Sequence, residues 1–123
     1  MPKIENTNIG FPKDAFVTAD IETATDSSQA ATCHAKRGRI TSSTANLAAD
    51  TVETLTITNK HSKTTSTILA NVRGGGNAAG ALSVCADPSA ADGTFTLKVR
   101  NNTPATAASA AYIVDFVIIN NLD

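Results

Sequence analysis

Two alternating runs near the end of the chain limit what it can fold into. In GTFTLKVR (93–100), Phe95, Leu97 and Val99 alternate with Thr94, Thr96, Lys98 and Arg100, the period-two pattern of a strand with one dry and one wet face. The second run, Ala110 to Ile119, also alternates. It sets Tyr112, Val114, Phe116 and Ile118 against Ile113, Asp115, Val117 and Ile119, and both sides are apolar apart from one carboxylate. A strand that is apolar on both faces needs two covers. The domain's own core supplies one, and a neighbouring subunit is the candidate for the other.

The rest of the chain reads as further strands separated by turn signals. A first strand is expected from Ala31 to Thr41, with Gly38 allowing a bulge that returns Ile40 to the core. Leu47 is expected to plug the end of the core. Val52 to Thr58 places Leu55 and Ile57 inward and Thr54, Thr56 and Thr58 outward. Ile68, Ala70 and Val72 share one side of the next strand, with Thr67, Leu69, Asn71 and Arg73 on the other, and Leu82 and Val84 share a face after that. The cluster Asp87 to Gly93 is a turn in which glycine is able to take positive φ. Six strands at short intervals predict an all-β fold, an antiparallel β-sandwich or jelly-roll-like domain over residues 31–123. Residues 1–30 have no sustained period and are read either as a disordered tail or as an extended N-terminal arm. Their isolated apolar anchors, Ile9, Phe11, Phe16 and Val17, fit separate grooves, and thirty extended residues span about 100 Å.

Charge and composition exclude several classes. A net charge of −1 speaks against nucleic acid as a partner, which calls for a basic excess. The charge is uneven: residues 1–30 hold two lysines and five carboxylates, a net of −3, and the remainder carries +2. The first residues lack the layout of a signal peptide and no window is long and apolar enough for a membrane helix, so synthesis in a cytoplasm and no membrane partner are expected. Cys33 and Cys85 either form a bridge or, as a reducing compartment favours, remain two buried thiols.

No residue set announces a reaction, so no enzyme and no cofactor are expected. The glycines at 74–76 are not followed by the Lys-Ser/Thr of a phosphate loop. His34 and His61 are far apart in sequence and lack partners at metal-ligand spacing, so no metal site is expected. No context places a serine nucleophile. Lys36, Arg37 and Arg39 form a basic cluster that Arg73, Lys98 and Arg100 could join, either as a solvated face or as a contact for an acidic protein surface such as a sister subunit's arm. Asp115 is expected to pair with Lys98, Arg100 or Arg73, because an unpaired buried carboxylate costs several kcal/mol. The Asn101-Asn102-Thr103 sequon reads simply as a turn.

The run Gly38 to Asn59 (GRITSSTANLAADTVETLTITN), a strand ending near Val72, and GTFTLKVRNN (93–102) leading to YIVDFVII (112–119) resemble the small β-sandwich modules of tailed-bacteriophage virion proteins. These occur as capsid decoration (cement) proteins and as pieces of fibres. The resemblance covers about residues 31–120 and carries no catalytic residues. It implies a jelly-roll-like fold, a homotrimer, and a place on the outer capsid surface of the virion against the major capsid protein. In that reading Tyr112, Ile113, Asp115, Val117 and Ile119 form the oligomer interface, and the arm braces neighbouring capsomers through its anchors. The alternative is a receptor- or carbohydrate-binding module of a phage fibre, which calls for an exposed aromatic platform.

Overall fold

The computed structural model describes residues 22–25, 29–43, 46–74, 81–88 and 91–120. They form an all-β sandwich of eight strands: β1 (Glu22–Thr25), β2 (Ala30–Thr32), β3 (Arg37–Thr41), β4 (Val52–Thr58), β5 (Thr67–Gly74), β6 (Leu82–Pro88), β7 (Thr94–Asn101) and β8 (Ile113–Ile119). The first sheet has the order β1-β3-β8-β5 and the second β2-β4-β7-β6. The two alternating runs are thus β8 and β7, each flanked on both sides by neighbouring strands of its own sheet.

Inner pairings are antiparallel, as expected, but β1 with β3 and β2 with β4 run parallel. Among the described residues, strand pairing is already present at Glu22, so part of the stretch assigned to the arm lies in the sandwich. The expected single strand from Ala31 to Thr41 is instead two strands in different sheets. The chain crosses between them at 33–36, where Cys33 N–H still bonds the Thr58 carbonyl at 3.0 Å.

Gly38 is not a bulge. It lies opposite Phe116 in register, and a Cβ there would come within 2.5 Å of the Phe116 ring and 2.6 Å of Cys33 Sγ. A residue without a side chain is what lets the ring sit under β3. Phe116 meets Phe95 of β7 edge-on across the sandwich, with centroids 5.0 Å apart, a favourable aromatic geometry. Around the two rings pack Ile40, Leu55, Ile57, Leu97, Val99, Tyr112 and Val114, all fully buried, and Leu47 is buried in the same cluster.

Polar groups tie down the ends. Buried Asn101 donates to the carbonyls of Leu47 (3.0 Å) and Thr106 (2.9 Å) and accepts from Thr103 N–H (3.0 Å). Buried Asn59 donates to the Ala35 carbonyl (2.7 Å) and accepts from His61 N–H (2.8 Å). Gly93 has φ 97°, as the turn requires. Cys33 and Cys85 are not bridged to each other: Cys33 is buried, whereas Cys85 is exposed on β6, contrary to the expectation of two buried thiols.

Candidate subunit interface

The two outer faces of the sandwich differ in chemistry. On the second sheet, Thr54, Thr56, Thr58, Lys98 and Arg100 point to water, and Val52 is the one large apolar side chain exposed with them among the described residues. On the first sheet, β8 lies between β3 and β5, and its outward residues are Ile113, Asp115, Val117 and Ile119. Register sets out the rows: Arg37 and Leu69 flank Val117, Arg39 and Asn71 flank Asp115, and Thr67 lies opposite Ile119. Leu69, Val117 and Ile119 are 57%, 37% and 45% exposed, so neighbouring rows leave an apolar strip in water.

Asp115 divides that strip from the half-buried Ile113. Arg39 reaches it with two donors, Nε to Oδ1 at 2.7 Å and Nη2 to Oδ2 at 3.4 Å. Arg73 Nε stands 3.7 Å from Oδ2. A register shift between Val72 and Gly74 leaves Arg73 as the extra residue of β5, a local irregularity of the kind that re-aims a side chain. The hydrogen bond to Asp115 raises the Arg39 pKa; desolvation opposes it, and the carboxylate's charge adds a smaller rise. Between the Asp115 and Val117 rows lies an open depression of about 280 Å³, lined in part by Arg37, Leu69 and Asn71.

The structure brings Ile113, Asp115, Val117 and Ile119 onto one face, with Arg37 and Arg39 beside them. Tyr112 does not belong there. It is fully buried, its hydroxyl hydrogen-bonded to the carboxylate of buried Glu53, and its backbone N–H bonded to Ser42 Oγ at 3.2 Å. Alternation from Ile113 puts position 112 on the core side, which is why the one Tyr of the chain is a core residue. Lys36 lies outside the strip, in the crossover before β3, where its carbonyl accepts from Ile118 N–H at 2.7 Å. Lys98 and Arg100 are on the other sheet, so neither pairs with Asp115, and Arg100 pairs instead with Asp50. The anchors Ile9, Phe11, Phe16 and Val17 lie outside the described residues.

On this face, Leu69 was missing from the sequence-based set, and Arg39, present in it as part of the basic cluster, was not foreseen as the partner of Asp115. Leu69 is the most exposed of the large apolar side chains among the described residues, and its signal was a leucine at an outward position between Thr67 and Asn71. Arg39 as the partner of Asp115 depends on β3 lying beside β8, which no local pattern encodes. His34 and His61, distant in sequence, meet at one end of the sandwich, where Lys60 N–H donates to His34 Nδ1 at 3.1 Å. No group of three or more His, Cys, Asp or Glu gathers among the described residues. No helix of the described residues is long and apolar enough to cross a membrane.

Comparison with protein-family models, with curated proteins and with solved structures found no match for this chain.

Proposed function

We propose that this chain is a structural subunit that associates with copies of itself through the outer face of the first sheet, and that it serves as a capsid decoration (cement) protein on a tailed-phage virion. The observation that carries the reading is the strip Leu69, Val117 and Ile119, three neighbouring apolar side chains exposed beside an ion-paired carboxylate, on a face whose counterpart on the second sheet is threonine, lysine and arginine with Val52 as its single exposed large apolar side chain among the described residues. Contiguous apolar surface rimmed by charge is characteristic of a protein contact. A closed ring of three copies covers the strip in every subunit. The virion assignment rests on the resemblance of residues 31–120 to phage capsid modules. In that setting Lys36, Arg37 and Arg39 and the anchors Ile9 and Phe11 are candidate contacts to the major capsid protein, each anchor contributing about 1.5–3 kcal/mol when fully buried.

The fibre alternative loses its one tyrosine platform, since Tyr112 is enclosed. The test is to band particles on a density gradient. The reading expects the chain at a fixed ratio to the major capsid protein, and particles assembled without it to break at lower temperature. A chain that never bands with particles contradicts the virion assignment.

A further inference from the structure

The apolar strip carries its own description of what covers it. Arg37, Arg39 and Arg73 against the single Asp115 leave the face with net positive charge, and among the described residues Arg37 has no carboxylate partner. Two such faces pressed together would set arginines against arginines. Three part-exposed side chains are also a small share of the roughly 800 Å² per partner that a stable contact takes. The occupant has to be acidic, apolar at its centre and long.

Residues 14–21, with two aspartates, no lysine or arginine and Phe16 and Val17 between the aspartates, meet the first two terms, and residues 1–13 supply the length. In an extended segment Asp14, Phe16, Thr18 and Asp20 fall on one side, since alternate residues share a face. That places one aromatic ring between two carboxylates, the complement of an apolar depression between Arg37 and the Arg39–Arg73 pair. The direction of β1 selects whose face is covered. β1 is parallel to β3, with Glu22 opposite Gly38, at the end of the sheet where β3 begins and β8 finishes. A chain continued backward along that axis would leave its own sheet, and the six steps from Phe16 to Glu22 would span about 20 Å if extended.

We infer that Phe16 of one copy, flanked by Asp14 and Asp20, seats in the depression beside Leu69 and Val117 on the next copy, in a head-to-tail contact that closes into a ring. The inference rests on the self-association proposed above and names its chemistry: an acidic arm on an arginine-rimmed apolar strip. Ile9 and Phe11, farther along the arm, stay available to the capsid.

The experiment uses the full chain with Phe16 replaced by photoreactive benzoylphenylalanine, mixed as equal parts ¹⁴N- and ¹⁵N-labelled protein and irradiated. Mass spectrometry is expected to find cross-links from position 16 to the β5 or β8 peptide of the other isotope. The paired change Asp14→Lys with Asp20→Lys is expected to weaken association at least tenfold at low salt. If the chains associate but position 16 cross-links elsewhere or only within its own chain, the inference is overturned while the self-association reading stands. If the chain stays monomeric at all concentrations, both are overturned.

Discussion

Gly38 shows how much of this fold turns on one missing methyl group. Any Cβ at that position meets the Phe116 ring at 2.5 Å and Cys33 Sγ at 2.6 Å, and the ring is itself held by Phe95. Gly38→Ala is therefore expected to cost about 1–3 kcal/mol through overpacking, read as a lower urea midpoint with an unchanged slope. Restoration of part of that loss by adding Cys33→Ala would confirm the contact. His61 gives a second prediction at this scale. Burial first, then the charges of Lys60 and Lys36, lower its pKa, against an ordinary value near 6.5 in the unfolded chain. As pH falls through about 6.5 the unfolded imidazole takes up its proton before the folded one. Stability from this group is thus full above that value and declines toward the lower folded pKa. His61→Gln is expected to lose less melting temperature between pH 7 and pH 5 than the parent chain, and equal losses would contradict the account.

At the scale of elements, β7 and β8 were legible because alternation needs nothing but local sequence. Phe95, Leu97 and Val99, and then Val114, Phe116 and Ile118, point inward as their spacing requires. The break between β2 and β3 was not legible. Residues 33–36 carry no proline, and the turn at Ala35 is held from afar by Asn59, twenty-four positions away. Side-chain amides do the same at the opposite end of the sandwich. Asn101→Ala would remove three hydrogen bonds at once: the carbonyls of Leu47 and Thr106 would keep only Ala108 N–H and Thr103 Oγ1 as donors, and Thr103 N–H would lose its acceptor, a group that is costly to leave unsatisfied. A loss of about 2–4 kcal/mol in a denaturant titration is expected, and a loss under 0.5 kcal/mol would show that water replaces the amide without cost.

For the whole molecule, sequence patterns supplied the layers but not the order of strands within them. Placing β8 between β3 and β5 is a long-range choice, and the pairing of Asp115 with Arg39 and Arg73 follows from it. The same placement turns a strand that looked apolar on both faces into a specific surface. One side meets the core, and the other aligns Val117 with Leu69 and leaves Ile119 beside them in water. The parallel edge strands were equally hidden, since nothing in residues 22–32 distinguishes a tail from a strand until β3 and β4 are in place. Everything proposed about function depends on that exposed side being a contact between copies. Sedimentation equilibrium of the full chain and of Val117→Lys tests it most directly. The account predicts a concentration-dependent trimer for the parent chain and a folded monomer, with an unchanged circular dichroism spectrum, for the variant. A parent chain that sediments as a monomer throughout, or a variant that associates as tightly as the parent, would contradict it.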